Sequence, residues 1–60
     1  SIKDNYDRIM CLPYSNSDNK QRVERILKYY HENNKPQMML MFDLGSTSNI
    51  DLMLIKKTFI

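Results

Sequence analysis

The residues of this chain that could do chemistry are few and far apart. There is one cysteine, Cys11, and one histidine, His31. A structural zinc site needs a cluster of Cys and His ligands, so no metal site is expected. A single cysteine also rules out an internal disulfide, and with it the stapled secreted class. Cys11 lies in an apolar run, where a thiol usually behaves as a small buried hydrophobe. A reactive thiolate there would need a neighbouring cation, and Arg8 is the weak candidate. His31 sits near the end of a helical pattern, where a helix dipole favours its cationic form. The carboxylates Asp43 and Asp51 flank the hydroxyl-rich turn Gly45-Ser46-Thr47-Ser48. One glycine cannot build a phosphate cradle of the usual kind. These residues imply no catalytic group and no cofactor.

The elements that must position them read as strand, helix, strand and an ambiguous final segment. Residues 8–12 (Arg-Ile-Met-Cys-Leu) are a short apolar run ended by Pro13, which cannot donate to a ladder, so a strand is expected there. Residues 14–17 are a polar turn. Val23, Ile26, Leu27 and Tyr30 repeat at i, i+3, i+4, i+7, the apolar stripe of an amphipathic helix. Asp18 with Gln21 resembles a capping box, with Ser17 as the rival cap. Asn33 and Asn34 can take the left-handed cap conformation and Pro36 forbids continuation. The predicted helix therefore covers about 18–33. Residues 38–44 (Met-Met-Leu-Met-Phe-Asp-Leu) are apolar on both faces, the pattern of a strand covered on each side. Residues 50–60 support two readings. Alternation of Ile50, Leu52 and Leu54 with Asp51, Met53 and Ile55 favours a strand. Ser48 with Asp51 is a helix-capping signature, and Lys56 and Lys57 suit a helix C-terminus. The β-branched and aromatic residues near the end tip the expectation toward the strand. The fold class expected is thus α+β, one βαββ unit with a single sheet packed on one amphipathic helix, and βαβα as the alternative.

Two segments resemble known families. Ile9-Met-Cys-Leu-Pro-Tyr-Ser15, followed by a polar turn and an amphipathic helix, resembles the first strand and turn of RNA-recognition domains. That resemblance implies an open sheet face on which bases stack on aromatic rings. Met41-Phe-Asp-Leu-Gly45-Ser46 followed by Ser48-Asn-Ile-Asp51-Leu-Met-Leu54 is similar to the Gly-Ser and Asp-x-Asp segment of polymerase-β-like nucleotidyltransferases. The resemblance implies carboxylates holding divalent ions around a nucleotide triphosphate. Asn49 stands where the first of those aspartates belongs, and a neutral amide is the poorer ligand for Mg²⁺. It implies a degenerate fragment rather than an enzyme.

Length and composition bound the rest. Sixty residues support one core, burying about 60% of the surface that the unfolded chain exposes. The chain is expected to be one small domain, or a piece excised from a larger protein. Nine basic against seven acidic residues give a charge of +2, too mild to imply nucleic acid unaided. No apolar run approaches the roughly 18 residues of a membrane span, and an intracellular protein, cytoplasmic or nuclear, is expected. Plentiful Asn, Ile, Lys and Met suit an A/T-rich coding genome, viral or otherwise.

Too little chain exists to cover both faces of a strand at 38–44. The expected function is therefore a non-enzymatic interaction or oligomerisation module. It would bury Met39, Met41, Met53 and Tyr29 against a second copy or another protein, in part by sheet-edge pairing. A helix at 38–44 would remove the need for an obligatory companion. The alternative is single-stranded nucleic-acid binding through Tyr14, Arg22, Arg25 and Lys28.

Overall fold

Four helices and no strand make up the described residues, 1–59, of the computed structural model. Helix α1 spans Ile2–Met10, α2 spans Ser17–Glu32, a 3-10 turn at Gln37–Met39 runs into the short α3 at Leu40–Asp43, and α4 spans Asn49–Thr58. The expectation of an α+β sheet, in either its βαββ or its βαβα form, is corrected. Most of each predicted strand is helical or 3-10, and the last residue of the third, Ile60, lies outside the described residues.

Each correction has a local physical cause. Ile2, Tyr6, Ile9 and Met10 recur at i, i+4, i+7, i+8, the stripe of an amphipathic helix. Ile2 and Ile9 are buried while Tyr6 and Met10 pack beside them. Ser1 caps α1: its Oγ accepts the Asp4 amide at 3.2 Å and donates to the Asp4 carboxylate at 2.8 Å. Pro13 ends a helix as readily as a strand. Cys11, expected to be buried in a strand, is instead the exposed C-cap of α1.

Helix α2 lies where its stripe predicts, with Val23, Leu27 and Tyr30 buried and Ile26 packed against the core. Its cap is neither Asp18 nor Ser17 but Asn16, whose side chain accepts the Asn19 amide at 2.8 Å. Asn34 takes the left-handed conformation at φ 50°. The Lys35 amide then bonds to the Tyr30 carbonyl at 2.9 Å, and the Asn34 amide to that of His31 at 3.4 Å. These two bonds are the Schellman closure that a left-handed residue after a helix permits.

At residues 38–44 a helix buries Leu40 and Leu44, four residues apart, and leaves Met38, Met39 and Phe42 exposed. A strand would have put Phe42 on the face of Leu40 and Leu44. In α4, Ser48 occupies the N-cap, Asp51 lies in the first turn, and Lys56 and Lys57 lie in the last. Ser48 makes no side-chain capping bond there, so the charges of the first and last turns and the packing of Ile55 into the core outweigh the strand propensity of Ile and Thr.

Helix α1 packs on α2 and on α4, and α3 packs on α2. The core is Ile2, Ile9, Val23, Leu27, Tyr30, Leu40, Leu44 and Ile55. A radius of gyration of 10.3 Å matches the ~10.4 Å expected of a closed unit this long. The core thus closes within one copy. The requirement for an obligatory companion to cover a two-faced strand falls with the strand.

Candidate functional site

Two features stand out on this scaffold: a buried polar junction and an exposed apolar surface. The junction is built around Asp51, whose side chain is fully buried. One carboxylate oxygen accepts the Ser15 amide at 2.9 Å. The other accepts the Ser15 hydroxyl and the Asn19 amide group, each at 2.8 Å. The Ser48 hydroxyl lies 3.2 Å from both Ser15 Oγ and Asn19 Nδ2. Asp51 is in the first turn of α4, and Ser15 and Asn19 bracket the start of α2. A single anion therefore serves the positive ends of two helix dipoles. Burial pushes its carboxyl up, but the bonds from Ser15 and Asn19 and the nearby Ser48 hydroxyl outweigh that and hold it below its ordinary value.

Chemically, this junction is closed. Every oxygen of Asp51 is engaged, and no group of three or more His, Cys, Asp or Glu side chains among the described residues could hold a metal ion. Asp51, the acid implied by the nucleotidyltransferase resemblance, is here an internal cap. The strands that would carry that site, and the sheet implied by the RNA-recognition resemblance, are absent among the described residues.

A second junction ties α2 to α3. The Tyr30 hydroxyl donates to the Asp43 carboxylate. Arg22 Nη2 donates to the Asp43 carbonyl at 3.4 Å and to Ser46 Oγ at 3.3 Å. Arg22 Nε and Thr47 Oγ1 are buried without a protein partner. Burial, then the hydrogen bond and charge of Asp43, pushes the Tyr30 hydroxyl up to about 12. Burial followed by the charge of Asp51 pushes Tyr14 to about 12 as well. The Tyr14 hydroxyl donates to the Ile9 carbonyl at 2.7 Å, fastening the α1–α2 loop.

For both tyrosines the folded value exceeds the ordinary 10.0. Their stabilising contribution is therefore whole below pH 10 and drains away as pH rises toward 12. Tyrosinate absorbance of the wild type is expected to show a late component near pH 12. That component should be missing from the Tyr14→Phe/Tyr30→Phe variant. A wild-type titration complete by about pH 11 would contradict the burial of these two hydroxyls beside Asp51 and Asp43.

The sequence-expected residues fall into distinct settings. Arg22 and Tyr14 are structural fasteners, so two of the four nucleic-acid contacts are occupied within the chain. Arg25 and Lys28 are exposed on the outer face of α2, but Glu24 stands among them. Tyr29 is half exposed, with the Lys35 ammonium 5.5 Å from its ring centre. Met39 and Met53 are exposed, whereas Met41 is half-buried. Met41 lines a shallow groove with Gln37, Met38, Leu40, Lys56 and Phe59.

Sequence reasoning passed over the most exposed apolar residues. Phe42 is 86% exposed, Met38 80% and Ile50 66%, beside Met53 at 57%. A helical rather than alternating period for 38–44 would have singled out Phe42, two residues from the buried Leu40 and Leu44. Comparison with protein-family models, with curated proteins and with solved structures returns no match.

Proposed function

We propose that this chain is a non-enzymatic protein-interaction module whose docking surface is the exposed apolar side of the 3-10 turn, α3 and α4. The observation that supports this reading is the exposure of Met38, Phe42, Ile50 and Met53 on a chain whose core is already closed. Scattered apolar residues are ordinary on protein surfaces. Here, however, they fall on three successive elements, and a phenylalanine almost wholly in water costs solvation that packing would recover. Met39 and Met41 extend the same surface with flexible side chains able to adapt to a partner. The mechanism is burial of this face, without any contribution from sheet-edge pairing.

The nucleic-acid alternative is weaker. Arg22 and Tyr14 are held internally, and Arg25 and Lys28 share their face with Glu24.

A docking surface that is not core makes a clear demand on variants. Met38→Ser/Phe42→Ser is expected to change unfolding stability by no more than about 0.5 kcal/mol, as for surface sites generally. The same variant is expected to bind less of an apolar fluorescent dye and to elute earlier in hydrophobic-interaction chromatography. A loss of stability above about 2 kcal/mol would mean that these residues are core, and would end the reading.

Among the described residues no helix is long and apolar enough to cross a membrane.

A further inference from the structure

The charge pattern around the groove, taken with the docking reading on which this inference rests, selects the kind of partner. The groove between the 3-10 turn with α3 and the end of α4 has Met38, Leu40, Met41 and Phe59 as its apolar lining, and Lys56 as its charged member. Lys57 follows, also exposed. The two acids of this half of the chain are turned to internal use: Asp51 is buried in its junction and the Asp43 carboxylate accepts from Tyr30. Asp43 is itself exposed on α3, and the other exposed acids, Asp4, Asp7, Asp18, Glu24 and Glu32, are on α1 and α2. The α3–α4 side therefore offers apolar surface with two exposed lysines against one exposed acid, which is already bonded to Tyr30.

A second copy is a poor occupant of such a site. A two-fold interface apposes the same patch from both molecules. Centred on this groove, such an interface gathers Lys56 and Lys57 of both copies into one seam, and like charges gathered across an interface are penalised. We infer that the groove takes an amphipathic helix of another protein, with apolar side chains at i and i+4 and carboxylates flanking them. The apolar positions enter among Met38, Met41 and Phe59, whose flexible methionines mould to the inserted side chain. The carboxylates meet Lys56 and Lys57 at the rim.

Selection from a displayed library of random peptides about 16 residues long tests this on the whole chain. Enriched peptides are expected to combine apolar residues at helical spacing with an excess of Asp and Glu. Synthetic versions, followed by fluorescence anisotropy, should bind at least about fivefold more weakly to Lys56→Glu/Lys57→Glu, and more weakly at high salt. They should also lose affinity for Phe59→Ala or Met38→Ser, with circular dichroism confirming that each variant is folded. Enrichment of basic or uncharged peptides that still depend on Met38 would overturn the acidic partner but leave the docking surface standing. Absence of any enriched peptide that depends on Met38 or Phe42 would overturn both. Sedimentation showing dimers at micromolar concentration under reducing conditions would make a second copy the occupant. Displacement of the peptide by a DNA duplex would assign the lysines to nucleic acid. Either result overturns the inference.

Discussion

Replacing Asp51 by alanine is expected to cost about 3 kcal/mol of folding free energy, which for this chain approaches loss of the fold. The substitution takes the shared acceptor from the Ser15 amide, the Ser15 hydroxyl and the Asn19 amide group at a part-buried junction, where the last two keep only each other and Ser48. A hydrogen bond to a charged group contributes roughly 1.5–3 kcal/mol, and a buried donor left unmatched costs about 1–3 kcal/mol. A domain of this length has in all roughly 3–9 kcal/mol. The midpoint of thermal unfolding is therefore expected to fall on the order of 15 °C, if a cooperative transition survives. Asp51→Asn keeps the shape but faces its own amide hydrogens toward donors, so it should fall between wild type and Asp51→Ala.

The same carboxylate sets the acid limit. Its folded value lies below the ordinary 3.8, so its contribution is complete above that pH and is lost as pH falls through the depressed value. Denaturant titrations at neutral pH and at about pH 3 should show wild type losing stability with acid. The part of that loss due to Asp51 should vanish in Asp51→Asn. Equal stability of the wild type and Asp51→Ala at neutral pH would mean that the two helix starts are not joined by this residue.

The second large effect tests the conformation of the methionine-rich segment itself. Leu40→Ala and Leu44→Ala are each expected to cost about 2–5 kcal/mol, the range for truncating a buried leucine that leaves a cavity. Phe42→Ser, between them, should cost almost nothing. Both leucines are fully buried and the phenylalanine is in water. The contrast is diagnostic because a strand alternates. In an extended segment residues 40, 42 and 44 share one face, and all three substitutions would hurt alike. Chemical denaturation of the three variants separates the arrangements without a new structure. A costly Phe42→Ser would reinstate the extended segment and remove the docking surface together.

Where the sequence was legible, a period or a cap made it so. Val23, Ile26, Leu27 and Tyr30 gave α2 within a residue at each end, and Asn34 with Pro36 marked its stop. The same period ran through Ile2, Tyr6, Ile9 and Met10, but a window opening at Arg8 saw only an apolar run before a proline. Residues 38–44 were the hard case, since a segment apolar at nearly every position has no period to read. Its helical state is decided by tertiary packing of Leu40 and Leu44, which no local pattern announces. In α4 the legible signal is Asp51 in the first turn with Lys56 and Lys57 in the last, against which the β-branched residues pull toward a strand. The Asp51 junction was hidden for another reason. Ser15 and Asn19 lie more than thirty positions away, and only the fold brings them together. Exposure at Phe42 was missed because a face cannot be assigned before the period is known.

Cys11, set in water at the end of α1 and the chain's single thiol, has a practical bearing on all of this. It offers one defined point for attaching a reporter, on a residue outside the core and outside the groove lining. It also gives air oxidation a route to tether two copies covalently, and such a pair would mimic assembly through the apolar face. Samples weighed or labelled without reductant would therefore report sulfur chemistry in place of surface affinity.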